Sequence, residues 1–281
     1  MATAICPGSS AGKQPIADGI IRKLMLSFKL YRGIVVLLLA VLAAVPPVFG
    51  QSQTNLVFAA RAGKEFLRRQ AALAAAPDDP TNCWQFARAC FDWADFATND
   101  AQRADIANQG IEAARHLIAR DPKSAAAHYY LGMDDGQLAE AVEPSLQAFH
   151  LVNDMEHEFK TSDQLDPHFD YAGPARNLGL LYREAPVWPL SIGSWHKARE
   201  YLEQAATRAP EYPENLLNLA ETQLHWHQYD GATGTMRKLE AIWPAAQTNF
   251  TGEVWEQSWS DWTPRRAAAW ATLQKVSQRA P

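Results

Sequence analysis

The sequence predicts an all-α fold of stacked helical hairpins, on three observations. Pro210 and Pro244 lie 34 residues apart, and the residues between them place small and apolar side chains at the spacing of two paired helices. The same pattern recurs before Pro210 and before Pro122, and a 34-residue period is that of the tetratricopeptide repeat (TPR). We therefore expect TPR-like helical hairpin repeats that form an α-solenoid, an architecture used for binding more often than for catalysis.

The first 50 residues are predicted to be an export signal rather than part of the fold. Lys29 and Arg32 precede an uncharged apolar run at residues 34–45, and the small residue Gly50 follows. This run is shorter than the roughly 20 residues that a membrane-spanning helix needs. We expect cleavage near Gly50, a periplasmic or secreted location, and Met25 as an alternative start of translation.

The net charge argues against nucleic acid as a partner, and the spacing of the cysteines argues against a disulfide. Removing residues 1–50 takes away five basic residues and one acidic residue, so the formal net charge moves from -5 to -9. Such an acidic chain is not expected to bind nucleic acid. Cys83 and Cys90 are seven residues apart, about 10.5 Å along one helix, which is too far for a disulfide. We expect both to pack in the core.

Residues 51–79 are predicted to form a helical lead-in, and residues 80–246 about four TPR-like repeats with insertions. The first two repeats are marked by small and apolar residues at matching positions. These are Trp84, Ala87, Phe91, Gly110, Ala114, Leu117 and Ile118 in the first, and His128, Leu131 and Gly132 in the second. About ten extra residues, around 96–106, lengthen the first repeat. Small side chains at these positions allow paired helices to approach closely.

The third and fourth repeats follow the same pattern. The third carries Ala175, Leu178, Gly179 and Tyr182, then Ala198, Leu202, Ala205 and Ala206; the fourth carries Leu216, Leu219, Ala220, Ala232, Met236 and Leu239. Seven surplus residues separate the two helices of the third repeat. They fall within residues 183–194, whose prolines prevent a continuous helix, so we expect a loop there.

The C-terminal residues 247–281 are predicted to form Trp-rich capping helices. Trp255, Trp259 and Trp262 are spaced by four and three residues, which places them on one helical face. Thr263 with Pro264 is expected to begin a final helix that runs to residue 276. The tryptophans either pack on the last repeat or form a partner-binding surface.

No residue pattern predicts catalysis, and we expect no enzyme activity, no cofactor and no metal. His225 and His227 would point about 200° apart on a helix, so they cannot bind one ion together. Asp166, His168 and Asp170 alternate beside a proline and could chelate a cation from a loop, or could be solvated loop residues.

The first helix of each hairpin should line a concave surface, which gives a set of candidate ligand-binding residues. They lie opposite the packing positions and are Tyr129, Met133, Arg176, Leu180, Arg183, Leu217, Glu221 and His225. A mostly apolar lining with two arginines predicts a small organic anion, a hydrophobic ligand or a peptide carboxylate. Alternatively, the two arginines pair with nearby acids such as Glu184.

Residues 166–193 resemble the TatT family, the periplasmic T components associated with TRAP transporters. The likeness covers roughly residues 80–245 and is carried by a Gly-Pro-x-Arg segment and a Trp-Pro-x-Ser-Ile-Gly loop. Its motif residues are Asp166, Gly173, Pro174, Tyr182, Trp188, Ser191 and Gly193. The resemblance implies a helical repeat fold, a homo-oligomer with a hydrophobic pore or cavity, and a periplasmic substrate-binding protein as partner. The alternative is a generic periplasmic TPR scaffold for protein–protein interaction, without a transport role.

Overall fold

The computed structural model describes residues 49–142 and 146–278, and these residues form ten α-helices. The helices are α1 (Phe49–Ala75), α2 (Pro80–Ala94), α3 (Asp100–Arg120), α4 (Ala125–Ala141), α5 (Leu146–Leu165), α6 (Phe169–Glu184), α7 (Trp195–Arg208), α8 (Pro213–His225), α9 (Tyr229–Asn249) and α10 (Glu253–Ser277). Residues 1–48 of the expected export signal lie outside the described residues, and its last two residues, Phe49 and Gly50, begin α1. None of the ten helices combines the length and the apolar character needed to cross a membrane.

Local sequence specifies where several of these helices begin. Four begin after an Asp, Asn or Ser whose side-chain oxygen accepts the backbone N–H three residues later. The capping residues are Asp79 for α2, Asn99 for α3, Ser124 for α4 and Ser194 for α7. Each such cap stabilises a helix by about 1 kcal/mol, so the turns between helices are set by short-range chemistry.

The chain divides into two compact units, which we describe separately: the described residues up to Ala209, and those from Pro210 onward. In the N-terminal unit each helix packs on the next one along the chain. In addition, α2 packs on α4, and α4 packs on α6. Contacts between neighbours and between alternate helices are those of stacked hairpins, so the predicted all-α, TPR-like fold is confirmed.

The small residues of the repeat pattern lie where helices approach closely. A Cβ on Gly132 would lie 2.8 Å from the Phe159 ring, and one on Gly179 would lie 2.6 Å from Leu202. Because Leu202 also presents its backbone nitrogen at 3.0 Å, α6 and α7 meet at a distance that only glycine allows. Cys83 and Cys90 are buried and free, as expected from their spacing.

In the C-terminal unit, α8 packs against α9 and α10. Tyr212 and Trp262 are fully buried and meet edge to face, with ring centroids 5.3 Å apart. Trp255 is 6% exposed, and the Trp259 indole N–H donates to the carbonyl oxygen of Phe250 at 2.6 Å. Trp255 and Trp262 therefore lie in the core of this unit, with the half-buried Trp259 packed beside Trp262, as in the packing alternative.

Two helices of the C-terminal unit run through prolines. Pro244 lies inside α9, which continues to Asn249. Pro264 lies inside α10, so Thr263 does not begin a separate helix and that expectation is wrong. A proline inside a helix removes one backbone hydrogen bond, and side-chain contacts between helices can offset that loss.

Such contacts join α9 and α10 close to both prolines. The Arg266 guanidinium binds the Glu240 carboxylate and lies 4.5 Å from the Trp243 ring centroid. The Trp270 indole N–H donates to the same carboxylate at 2.7 Å. Because Glu240 and Trp243 precede Pro244 and Arg266 follows Pro264, both helices are held together where their backbone ladders are interrupted.

Candidate interaction site

The start of α6 has an unusual backbone at the segment that carries the family resemblance. Asp170, Tyr171 and Ala172 have φ angles of 48°, 55° and 60°, all in the left-handed region. This conformation costs about 1–2 kcal/mol for each residue that is not glycine. Three such residues in succession therefore need strong contacts with the rest of the unit.

A buried hydrogen-bond network supplies those contacts. Arg176 donates through Nη2 to Asp170 Oδ2 at 3.0 Å, and through Nη1 to the carbonyl oxygens of Asp170 and Tyr171 at 3.3 Å each. From α4, the Tyr129 hydroxyl donates to Asp170 Oδ2 at 3.0 Å. Asn177 Nδ2 in turn donates to the Tyr129 hydroxyl oxygen at 3.0 Å. The left-handed turn is thus tied to its own helix and to α4.

The electrostatics of this network are those of a buried ion pair. Arg176 is 0% exposed, and burial raises the pKa of the Asp170 carboxyl while the Arg176 and Arg88 guanidinium groups oppose that rise. Burial, and to a smaller extent the Asp170 charge, also raises the pKa of the Tyr129 hydroxyl. An ion pair of this kind contributes little net stability, but losing one partner leaves a buried uncompensated charge.

Most of the predicted ligand-binding residues of the N-terminal unit lie in its interior. Tyr129, Arg176 and Leu180 are 0% exposed, and Met133 is 3% exposed. Arg183 donates to the Glu184 carboxylate at 2.6 Å, which is the pairing offered above as the alternative to ligand binding. A ligand at the four buried residues would have to displace packed helices, and their binding role stays a prediction.

The predicted residues of the C-terminal unit have different environments. Leu217 is buried, and His225 is exposed at the end of α8. The Glu221 carboxylate accepts two hydrogen bonds from Arg265 of α10, each 3.0 Å long. Arg265 also donates to Asp261 at 2.7 Å. Sequence reasoning missed Arg265, because its partners on α8 are more than 40 residues away and only their shared burial brings them together.

The candidate chelators at the start of α6 do not converge. Asp166 Oδ1 accepts the backbone N–H of His168 at 3.0 Å, the His168 side chain is exposed, and Asp170 is engaged with Arg176. Within the described residues, no group of three acidic, histidine or cysteine side chains is arranged to hold a metal ion.

The predicted insertion between α6 and α7 is an ordered loop, residues 185–194, which we call the insertion loop. The Gly193 N–H donates to the carbonyl oxygen of Pro186 at 2.9 Å, and the Ser194 N–H donates to that of Tyr182 at 2.9 Å. A Cβ on Gly193 would overlap the carbonyl oxygen of Ala185, so the two ends of the loop close only around glycine. The Trp188–Pro189 peptide bond is cis.

The insertion loop and the first residue of α7 expose four large apolar side chains, which we call the aromatic patch. Exposure is 65% for Val187, 83% for Trp188, 70% for Leu190 and 61% for Trp195. These residues lie within nine positions of one another, on a backbone whose ends are hydrogen-bonded together. Exposed apolar side chains grouped in this way mark interaction sites, and tryptophan is among the residues that contribute most to binding. The sequence predicted the loop but not its exposure.

The remaining motif residues serve packing. Gly173 and Pro174 are buried, and a Cβ on Gly173 would lie 2.8 Å from the Tyr129 hydroxyl oxygen. The Tyr182 hydroxyl donates to the Glu156 carboxylate of α5, whereas Ser191 is half-buried in the insertion loop. The motif therefore divides into a buried part at the start of α6 and an exposed part at the aromatic patch.

Comparisons with known proteins place the chain by its fold. No protein-family model and no curated protein sequence matches it. Among solved structures, the thermophilic TPR protein TTC0263 of Thermus thermophilus is 20% identical with a TM-score of 0.55, over 79% of this chain and 96% of that one. MamA is 15% identical with a TM-score of 0.46, over 72% of this chain and 98% of that one. Yeast Tom70 is 11% identical with a TM-score of 0.31, over 98% of this chain and 67% of that one.

The likeness to TTC0263 establishes the TPR fold, in agreement with the hairpin packing described above. Proteins of this fold generally present surfaces to other proteins and are typically non-catalytic. The TatT resemblance stays a prediction, which rests on the motif residues of the third repeat.

Proposed function

We propose that the chain is a TPR scaffold that binds a partner protein through the aromatic patch. The observation that carries this proposal is the exposure of Trp188 and Leu190, 83% and 70%, on a loop whose ends are hydrogen-bonded together. A fixed loop loses little conformational entropy when it binds, and burying large apolar side chains is favourable by about 25 cal/mol per Å².

The resemblance and the leader suggest a more specific form of this proposal. The partner would be a periplasmic substrate-binding protein of a TRAP-type transporter, and the scaffold would act as a homo-oligomer outside the cytoplasm. The small organic anion is a weaker part of the proposal. Arg176, which was expected to bind it, already donates to Asp170 and to two backbone carbonyl oxygens.

Affinity capture with matched variants tests the proposal. The wild-type chain, a Trp188→Ser/Leu190→Ser variant and a Val254→Ser control are used as baits in extracts of the source cell. Val254 is also exposed, at 47%, but lies outside the patch. We expect one abundant partner that the wild type and the control retain and the double variant loses, with unchanged thermal melts. A partner retained equally by all three baits would show that the patch is not the binding surface.

A further inference from the structure

Helix α1 presents an apolar face that the rest of the described chain does not cover. Its inner face buries Phe58 and Phe66, each 8% exposed, and packs on α2, where Phe66 meets Phe86. The opposite face carries six exposed residues at alternating spacings of three and four, which we call the outer seam. These are Val57, Ala60, Lys64, Leu67, Ala71 and Ala74. Leu67 is 63% exposed and Val57 is 48% exposed.

The spacing of the outer seam is that of a helix that packs lengthwise against another helix. In a repeat stack each hairpin buries its apolar face against the next hairpin. Because α1 packs chiefly against α2, its outer seam is left at the end of the stack. One additional helix along the seam would complete the packing.

The charge of α1 is opposite to that of the chain as a whole. The helix contains four basic residues and one acidic residue, whereas the full chain has a formal net charge of -5. Lys64 lies in the seam, and Arg61 and Arg68 lie along one edge of it, seven residues apart. The only acid of the helix, Glu65, already accepts hydrogen bonds from Arg68 and Arg69. Charge complementarity therefore favours an acidic partner for the outer seam.

Two other occupants fit this face less well. A second copy of α1 would bring Lys64 and the flanking arginines of both copies together, which is unfavourable, and would set alanines against alanines. A membrane surface selects bulky side chains such as Trp, Phe and Leu on the apolar face, whereas three of the six seam residues are alanine. Alanines instead leave space for large side chains of a packing helix.

We propose that the outer seam of α1 binds an amphipathic helix of a partner protein, with large apolar side chains at the three-four spacing and Glu or Asp beside them. This surface is separate from the aromatic patch in the sequence. The inference goes beyond the proposed function and does not depend on it.

Fluorescence anisotropy with synthetic peptides tests the inference on the full chain. The probe is a labelled helical peptide with leucine at its three-four positions and glutamate beside them. The control peptide has lysine in place of glutamate. We expect the glutamate peptide to bind at least tenfold more tightly, and its affinity to fall with added salt.

Matched variants locate the binding. Val57→Asp and Leu67→Glu should each weaken binding of the glutamate peptide at least tenfold. Val254→Asp changes a residue of similar exposure, 47%, outside α1 and should leave binding unchanged. Arg61→Glu/Lys64→Glu should reverse the preference between the two peptides. Thermal melts confirm that each variant is folded. Because the variants of this test change α1 and those of the capture test change the aromatic patch, failure of this inference and failure of the proposed function give different results.

Three results would overturn the inference. One is equal binding of the two peptides, and another is binding that Leu67→Glu does not weaken. The third is assignment of the face to another occupant. A membrane would be the occupant if the chain bound vesicles of phosphatidylcholine with 30% phosphatidylserine and Leu67→Glu abolished that binding. A second copy would be the occupant if the chain formed a dimer in sedimentation experiments and Leu67→Glu abolished the dimer.

Discussion

Two regions of the N-terminal unit bury carboxyl groups in opposite ways. At the start of α6, Asp170 is paired with Arg176 and accepts the Tyr129 hydroxyl. In the middle of α4, Asp134 and Asp135 are 0% and 1% exposed, and none of their carboxyl oxygens has a hydrogen-bond partner in the described part of the chain. The first region uses a buried charge to hold a left-handed turn. The second places carboxyl groups where ionisation is costly.

The difference between the two regions appears in the pKa values of Asp134 and Asp135, which we call the α4 pair. Burial raises the pKa of Asp135 to about 7, with the Arg115 charge opposing the rise and Asp154 and Glu158 adding to it. Burial and the neighbouring Asp135 and Asp92 charges raise the pKa of Asp134 well above its usual value. Around neutral pH the α4 pair therefore destabilises the fold in proportion to its ionisation, whereas the α6 pair stabilises one particular backbone conformation.

The largest effect is expected from breaking the α6 ion pair. Arg176→Ala should lower the free energy of unfolding by about 3–5 kcal/mol, because it leaves the Asp170 carboxylate buried without the cation that is hydrogen-bonded to it. Urea unfolding followed by circular dichroism measures this loss. Arg199→Ala is the control, since Arg199 forms an exposed pair with Glu203 and should change stability by less than about 0.5 kcal/mol. Equal losses for the two variants would contradict a structural role for the pair.

A substitution in α4 is expected to change the free energy of unfolding in the opposite direction. Asp135→Asn removes a group that must ionise in the interior and should raise the free energy of unfolding at pH 8 by about 3 kcal/mol. A rise in pKa from 3.8 to about 7 corresponds to an upper limit of about 4 kcal/mol. The same urea titration measures it, with Glu203→Gln as the exposed control. A destabilised Asp135→Asn variant would mean that the carboxylate has a favourable partner.

The pH dependence of the stability difference between Asp135→Asn and the wild type is a further test. A carboxyl whose folded-state pKa is raised gives its full stability below its unfolded pKa and loses it as pH rises toward the folded pKa. The advantage of Asp135→Asn over the wild type should therefore be small near pH 4, grow by about 2 kcal/mol between pH 5 and pH 8, and level off above the folded pKa, which is about 7. An advantage that does not change between pH 5 and pH 8 would rule out Asp135 as its source.

A smaller effect tests how closely α3 approaches the α4 pair. A Cβ on Gly110 of α3 would overlap the Asp134 carboxyl. Gly110→Ala should destabilise the chain by about 1–2 kcal/mol through overpacking, despite the higher helix propensity of alanine. Combining it with Asp134→Ala should recover most of that loss in a double-mutant cycle. Independent, additive losses would show that the two residues do not touch.

The sequence predicted those parts of the fold that depend on side-chain size at a fixed spacing. Gly132 and Gly179 were placed correctly because close approach between paired helices admits only small residues. The insertion loop was predicted because prolines interrupt a helix there. Pro264 misled the prediction of a separate final helix, because contacts between α9 and α10 offset a lost backbone hydrogen bond.

The candidate site was less predictable for a related reason. Generic repeat positions assign Tyr129 and Arg176 to a ligand-facing surface, but both are buried and hydrogen-bonded to Asp170. That pairing depends on a left-handed turn that no glycine signals. The exposure of Trp188 likewise depends on how Gly193 closes the loop, which spacing does not reveal.

The left-handed turn at Asp170–Ala172 also makes the start of α6 conditional on the tertiary fold. Glycines would adopt this turn in an isolated peptide, whereas Asp, Tyr and Ala adopt it only while held by Arg176 and by Tyr129, a residue 41 positions earlier in the chain. The left-handed conformation of these three residues therefore depends on the contact between α4 and α6. We expect their amide hydrogens to exchange with solvent whenever that contact opens, even if both helices remain formed.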